Sequence, residues 1–217
     1  MMQLNIIGRE REINLLEQLM DSKAAEFVAV HGRRRVGKTY MLQQFVSTQD
    51  VYLECTGTKE GSLKDQLLIF NKSLAKTFYP NAQLEPPRNW YEALERLTAE
   101  IKRIPPTKKI AIFFDELPWL ASPKSKLMQN IDHFWNTEWQ KLPNLKFVVC
   151  GSAASWMLDN LINAKGGLYN RITRTIHLEP FNLAETKQFL ESKKIKITQK
   201  QTLDIYMVMG GIPFYLQ

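Results

Sequence analysis

His31-Gly32-Arg33-Arg34-Arg35-Val36-Gly37-Lys38-Thr39: this segment is the strongest indication of the fold in the 217-residue chain. It matches the pattern G-x-x-x-x-G-K-[S/T] in full, follows the apolar run Phe27–His31 and precedes a helical pattern that extends to about Val46. Gly32 and Gly37 let the backbone turn so that amide N–H groups point inward, forming an anion nest at the positive end of the helix. The alternative is a glycine-rich turn that holds no ligand, which the strand-to-helix context disfavours.

Each position of this loop predicts its own chemistry. Lys38 is expected to reach the β- and γ-phosphates of ATP, and Thr39 to supply an oxygen ligand to the bridging Mg²⁺. The predicted nucleotide-binding residues of the loop are Gly32, Arg33, Arg34, Arg35, Val36, Gly37, Lys38 and Thr39, with Tyr40 directly after it. We assign the three arginines no catalytic role, because their charges are expected only to strengthen the local positive potential.

An acidic pair follows the third candidate strand, Ile110–Phe114, as Asp115 and Glu116. The carboxyl edge of an open α/β sheet is where ligands bind, so we expect both carboxylates to face the phosphate loop. Asp115 would hold Mg²⁺ through water, and Glu116 would orient and polarise the water that attacks the γ-phosphate. Acidic residues also commonly cap helices, but the complete phosphate loop earlier in the chain favours the catalytic interpretation.

Short apolar runs alternate with longer amphipathic stretches, which predicts an α/β fold with a parallel sheet covered on both faces. The candidate strands are Phe27–His31, Val51–Cys55, Ile110–Phe114, Phe147–Cys150 and Thr175–Leu178. Apolar residues at helical spacing predict helices between them; three of these stripes cover Leu63–Phe78, Trp90–Ile104 and Leu127–Leu142. Two possible capping boxes predict two further helices after the last strand; they are formed by Asn182 with Glu185 and Thr198 with Gln201.

Composition limits the location and partners of the protein. The net charge of +7 permits a nucleic-acid partner through counterion release; we favour a solvated basic surface, because nucleotide binding already accounts for several clustered cations. The apolar runs are far shorter than the roughly 18 residues that span a bilayer, and the first residues lack signal-peptide features, so we expect a cytoplasmic protein. Cys55 and Cys150 each close an apolar run without metal-ligand spacing and are expected to be reduced core residues.

Taken together, these motifs resemble the prokaryotic ATPases of the STAND type, which are related to AAA ATPases. The stretch Ile7-Gly8-Arg9-Glu10-Arg11-Glu12 is similar to the opening box of that family, so the resemblance places Gly8 and Arg9 near the adenine; an ordinary amphipathic helix is the alternative. It also implies a three-layer P-loop NTPase sandwich with a mostly parallel five-stranded sheet in the order 5-1-4-3-2. The expected organisation is an ATPase core over residues 1–180 and the beginning of a helical lid over 181–217.

The resemblance supplies two further catalytic candidates. Phe147–Ser152 is similar to the sensor-1 strand, which makes Ser152 a candidate for contacting the γ-phosphate or the attacking water; a cap for a helix starting near Ala153 is an equally good interpretation. The stretch from Gly167 resembles one whose arginine stabilises charge on the transferring phosphoryl group, with Arg171 as first choice and Arg174 as second. The family usually has proline where Gly167 stands, and an exposed surface arginine is the alternative.

The function expected from these features is Mg-dependent ATP binding and hydrolysis by a switch or motor module. Gly210–Leu216 resembles the lid turn that precedes a winged-helix region in longer relatives, so we expect this chain to be a piece of a longer protein. One alternative is a nucleotide-binding module with little turnover whose main partner is nucleic acid or another protein. A second is a P-loop kinase, which Glu116 argues against because such a base is placed for water. Oligomerisation is compatible with either of the first two functions.

Overall fold

Five parallel strands form one sheet in the computed structural model, which describes residues 6–80, 82–162 and 170–217. The strands are β1 (Glu26–His31), β2 (Val51–Thr56), β3 (Ile110–Asp115), β4 (Leu145–Gly151) and β5 (Arg174–His177). Their order across the sheet is β2-β3-β4-β1-β5, which confirms the predicted order 5-1-4-3-2. All four pairings are parallel, and in register Val30 of β1 lies opposite Cys150 of β4 and Ile176 of β5.

Helices cover both faces of this sheet. The described α-helices are α1 (Glu10–Asp21), α2 (Lys38–Val46), α3 (Leu63–Phe78), α4 (Trp90–Lys102), α5 (Leu117–Leu120), α6 (Leu127–Thr137), α7 (Ala154–Met157), α8 (Leu183–Ser192) and α9 (Gln199–Met209). Along β1, Phe27 and Ala29 pack into the apolar cluster that includes α3, α4 and α6, whereas Val28 and Val30 pack into the cluster that includes α1 and α2. Because both faces are buried, the strands are apolar without interruption.

The predicted continuous helix Leu127–Leu142 is wrong. The α-helix ends at Thr137, Glu138 leaves the helical region with φ −127° and ψ −60°, and a short 3₁₀ turn follows at Trp139–Lys141. This break turns the indole of Trp139 into the core, where its Nε1–H donates to Thr98 Oγ1 over 2.8 Å. The aromatic periodicity reflects core burial, as predicted, but the helix does not carry it throughout.

The segment after β5 forms a small unit with its own apolar cluster. Both capping boxes are present: Asn182 caps α8 with Glu185, and Thr198 caps α9 with Gln201. Phe181, Leu190 and Leu216 are the buried members of the cluster. The prediction of two helices after the last strand is therefore confirmed.

Two predictions from composition have structural counterparts. Cys55 and Cys150 are buried and unpaired, as expected of reduced core residues. In the part of the chain that the structure describes, no helix combines the length and the apolar character needed to cross a bilayer.

Candidate functional site

The phosphate loop connects the end of β1 to the first turn of α2. His31 is the last residue of β1. Gly37 has φ 93° and directly precedes Lys38, the first residue of α2. Gly32 has φ 150°, and a Cβ added there would lie 2.2 Å from the carbonyl oxygen of Leu178, just beyond β5. Only glycine fits this close approach between the loop and the neighbouring chain segment.

Lys38 is folded back onto the loop that carries it. Its side chain is buried, and Nζ donates to the carbonyl oxygens of Gly32 and Arg33, each over 2.9 Å. Burial lowers the pKa of Lys38, while the nearby acidic groups Asp115 and Glu116 act in the opposite direction. The ammonium group is thus held at the centre of the loop by two backbone acceptors that a phosphate could replace.

Thr39 and Asp115 place two oxygen ligands side by side. The hydroxyl of Thr39 donates to Oδ2 of Asp115 over 2.9 Å, which joins the first turn of α2 to the end of β3. Asp115 is 3% exposed, and its burial raises the pKa of the carboxyl group. Hydroxyl and carboxylate oxygens are the donors that Mg²⁺ prefers, so this pair fits the predicted metal site.

Glu116 and Ser152 form a second polar pair, at the ends of β3 and β4. Ser152 donates twice to Oε2 of Glu116, from its hydroxyl over 3.0 Å and from its backbone N–H over 3.3 Å. Glu116 has φ 48° and ψ 50°, a left-handed conformation that costs a residue with a side chain about 1–2 kcal/mol. Such strain is typical of functional positions held by their surroundings. The alternative role of Ser152 as a helix cap is wrong, because Ala153 precedes α7 and no side chain caps that helix.

These groups border one cavity of about 760 Å³, within the range of small-molecule sites. The predicted site residues that line it are Arg9, Arg34, Arg35, Val36, Gly37, Lys38, Thr39, Tyr40, Glu116 and Ser152. Gly32, Arg33 and Asp115 lie directly behind this lining, through the contacts with Lys38 and Thr39 given above. Gly8 belongs to a separate depression beside α8.

The other wall of the cavity comes from the segment after β5, which sequence reasoning did not assign to the site. Among its lining residues are Phe181, Phe189, Pro213 and Phe214. Arg35 reaches this wall directly: its Nη1 donates to the hydroxyl of Tyr215 over 2.8 Å, and its guanidinium lies 4.5 Å from the ring centre of Phe214. The turn Gly210–Leu216 was the available signal, but its reach to the phosphate loop depends on the tertiary fold.

Arg9 links three parts of the molecule. It is buried, its Nη2 donates to the carbonyl of Val36 over 3.2 Å, and its guanidinium lies 4.6 Å from the ring centre of Phe181. Its backbone N–H donates to Oε1 of Glu185, the residue that also completes the capping box of α8. Arg9 therefore connects the phosphate loop to the segment after β5, in addition to lining the cavity.

Arg171 is not brought to this cavity. It is exposed and precedes β5, whose first residue, Arg174, lies opposite Val28 near the amino end of β1. Gly32 lies four positions after Val28, which corresponds to a rise of about 13 Å along the strand. Arg171 therefore lies toward the amino edge of the sheet, away from the phosphate loop of its own chain. Gly167, the first residue of the stretch on which the resemblance rested, is outside the described residues.

A five-stranded parallel sheet in this order, with a G-x-x-x-x-G-K-T loop after β1 and an Asp-Glu pair after β3, defines a P-loop nucleoside triphosphatase fold. The chain belongs to a family of ATPase domains found predominantly in Archaea, whose family model matches residues 6–217. This membership confirms the resemblance to prokaryotic ATPases that the motifs indicated.

Individual proteins resemble this chain in sequence or in fold. The uncharacterized protein MJECL04 of Methanocaldococcus jannaschii is 26% identical over 97% of this chain and 43% of its own length. The Walker-type ATPase PABY2304 of Pyrococcus abyssi superposes with a TM-score of 0.65 at 22% identity, over 98% of this chain and 66% of that one. PH0952 of Pyrococcus horikoshii, a STAND protein with a tetratricopeptide repeat sensor, superposes with a TM-score of 0.56 at 16% identity. The match covers 97% of this chain and 29% of that one. The chain thus spans less than half of its curated relative.

Proposed function

We propose that this chain binds Mg-ATP and hydrolyses it to ADP and phosphate, and that the nucleotide cycle operates a molecular switch or motor. The observation that carries the proposal is the convergence of three groups on one cavity: Lys38, the Thr39–Asp115 pair and the Glu116–Ser152 pair. Membership of an ATPase-domain family supports the same chemistry.

Binding of the phosphates is the first step. The amide groups of the loop and the positive end of α2 favour an anion, and Lys38 would exchange its two carbonyl partners for phosphate oxygens. Thr39 and Asp115 would hold Mg²⁺, directly and through water. When bound, the metal ion supplies positive charge that offsets the charge developing on the phosphates.

Hydrolysis would depend on Glu116. Its carboxylate would accept a hydrogen bond from the attacking water, and orient and polarise it toward the γ-phosphate. Ser152 limits the positions that this carboxylate adopts, because two donors of one residue hold a single oxygen. We propose the same serine as the residue that responds to the γ-phosphate.

A switch requires that the state of the nucleotide reach another part of the molecule. We propose that residues 181–217 act as a lid on a core formed by residues 1–180. Two contacts support this proposal: Arg35 joins the phosphate loop directly to Tyr215, and Arg9 bridges the loop and the lid through Val36 and Phe181. A nucleotide that moves the loop would alter both contacts.

The test is nucleotide binding followed by turnover in the Glu116→Gln variant. We expect Mg-ATP to bind the wild-type chain in calorimetry, and Glu116→Gln to retain binding but lose about 10²- to 10⁴-fold in kcat, the usual contribution of a general base. Glu60→Gln is the matched control, since Glu60 also has positive φ, at 60°, and is exposed away from the cavity. Absence of nucleotide binding, or unchanged turnover in Glu116→Gln, would refute the proposal.

A second candidate function is a nucleotide-dependent binding module whose partner is nucleic acid or another protein. The net charge of +7 permits a nucleic-acid partner, and the tetratricopeptide repeat sensor of the Pyrococcus horikoshii relative is compatible with a protein partner. Binding of labelled DNA that weakens steeply between about 50 and 200 mM salt would favour nucleic acid. No binding at low salt would remove nucleic acid from the functions of this segment.

A further inference from the structure

Arg34, in the middle of the phosphate loop, is directed toward the catalytic carboxylate. Its Nε donates to the hydroxyl oxygen of Ser152 over 3.4 Å, and its guanidinium lies 5.7 Å from the ring centre of Trp119 on α5. Arg34, Glu116 and Ser152 all line the same cavity. The loop and the ends of β3 and β4 are therefore connected through one side chain.

The hydrogen bonds form a continuous chain from the loop to Glu116. Arg34 donates to Ser152 Oγ, and this hydroxyl donates in turn to Glu116 Oε2 over 3.0 Å. A donor that approaches the oxygen of Ser152 leaves the hydroxyl hydrogen free to point at the carboxylate. Arg34 thus favours the rotamer of Ser152 that holds Glu116.

Gly151 allows this chain to form. A Cβ added there would lie 2.7 Å from the sulfur of Met157 and 2.9 Å from Cδ of Pro118, so only a residue without a side chain lets β4 approach the turn after Glu116 so closely. Ser152 follows at once and reaches the carboxylate with both its hydroxyl and its N–H. The backbone therefore fixes one of these bonds, whereas the other depends on the hydroxyl that Arg34 contacts.

The neighbouring arginines have different surroundings. Arg35 binds Tyr215 of the lid, and Arg33 contributes its carbonyl oxygen to Lys38 while its side chain is exposed. Within the described residues, Arg34 alone of the three has its side chain on Ser152 and Trp119. The three consecutive arginines are thus divided between the lid, the loop itself and the catalytic carboxylate.

We propose that Arg34 is a positioning residue for ATP hydrolysis, which acts through the hydroxyl of Ser152 to hold Glu116 in place for the attacking water. This inference rests on the proposed ATPase function and deepens it. It assigns a role to a loop residue whose charge was expected, from the sequence, only to strengthen the local positive potential.

The experiment compares steady-state ATP hydrolysis by the wild type, Arg34→Ala, Arg34→Lys, Ser152→Ala and the double variant Arg34→Ala/Ser152→Ala. A misplacement of a catalytic group by about 1 Å lowers the rate about 100-fold. The N–H of Ser152 still holds Glu116 in Arg34→Ala, so we expect a smaller effect. That variant should lower kcat about tenfold and change KM less than about twofold. Arg34→Lys retains a charged donor and is expected to recover most of kcat. The double variant should be no slower than Ser152→Ala alone, because both changes break one chain.

Arg103→Ala is the matched control, since Arg103 is an exposed arginine directly after α4 that pairs with Glu100 and is not among the residues that line the cavity. It should leave kcat unchanged. Thermal unfolding verifies that each variant is folded. If Arg34→Ala is unstable, Arg34→Met, which keeps an unbranched side chain without a donor, replaces it and should lower kcat to the same extent. A higher KM with unchanged kcat would show instead that Arg34 contributes to nucleotide binding. Multiplicative effects in the double variant would show that Arg34 and Ser152 act independently. Either result would overturn the inference.

The proposed function and this inference fail in different ways. A wild type without turnover overturns both. A wild type that hydrolyses ATP, loses activity in Glu116→Gln and is unaffected by Arg34→Ala overturns the inference alone.

Discussion

Replacement of Gly32 by alanine tests the close approach between the phosphate loop and the end of β5. The new Cβ would lie 2.2 Å from the carbonyl oxygen of Leu178, about 0.8 Å closer than the 3.0 Å that such contacts require. The carbonyl group of Leu178 cannot easily move away, because the N–H of the same residue donates a hydrogen bond to the carbonyl oxygen of His31 over 2.8 Å. The loop must therefore move.

The expected cost has two parts. An unfavourable backbone conformation at φ 150° costs about 1–3 kcal/mol, and a steric overlap of this kind costs about 1–3 kcal/mol. A combined loss near 3 kcal/mol in the free energy of unfolding corresponds to a fall in Tm of about 6–12 °C for a chain of this length. A displaced loop also loses at least one charge-assisted hydrogen bond to phosphate, which weakens ATP binding about ten- to a hundredfold.

Differential scanning calorimetry and ATP titration measure the two effects. Gly210→Ala is the control for the backbone cost, because Gly210 also has positive φ, at 64°, but an added Cβ there meets no atom within 4 Å. We expect that variant to lose only about 1 kcal/mol, or about 2–4 °C. If Gly32→Ala unfolds at the same temperature as Gly210→Ala and binds ATP normally, the steric argument is refuted.

Two other predictions concern groups around the site and the core. Thr98→Val leaves the indole N–H of Trp139 buried without an acceptor and should lower the free energy of unfolding by about 1–3 kcal/mol, measured by denaturant titration. Thr98→Ser keeps a hydroxyl acceptor and should lose less than half as much. Equal losses in the two variants would contradict the role of this hydrogen bond. Burial, with His177 and Lys38 nearby, lowers the pKa of His31, so the unfolded chain binds a proton more readily and stability should fall as the pH decreases below about 6.5. His31→Gln should reduce the fall in Tm between about pH 7.5 and 5.5; an unchanged fall would exclude His31 as its source.

Much of the fold follows from patterns that are local in the sequence. The loop Gly32–Thr39 requires a strand before it and a helix after it, and the apolar runs on either side supply them, so β1 and α2 were predictable. Capping boxes involve residues three apart, and both are present. The break at Glu138 was not predictable, because it is stabilised by a hydrogen bond between Trp139 and Thr98, 41 positions apart.

The same division applies to the candidate site. The motifs predicted Lys38, Thr39 and Asp115 as site residues from their types and spacing, and the fold brings them together beside the phosphate loop. The motifs did not indicate the partners of Arg34 and Arg35, since variable loop positions follow no pattern and their contacts, Ser152 and Tyr215, come from remote segments. The position of Arg171 also depended on the direction of β5, which places it toward the opposite edge of the sheet from the loop.

The sequence alone therefore predicted the chemistry of this protein, because the phosphate-loop pattern and the acidic pair are short-range signals whose residue types indicate their roles. The tertiary structure decided which side chains surround that chemistry. Parallel strands bring distant strand ends to one edge. There Arg34 of the loop contacts Ser152, the partner of Glu116, and Arg35 contacts Tyr215 in the segment after β5. These contacts depend on the tertiary fold, because they join residues that are 36 and 180 positions apart in the sequence.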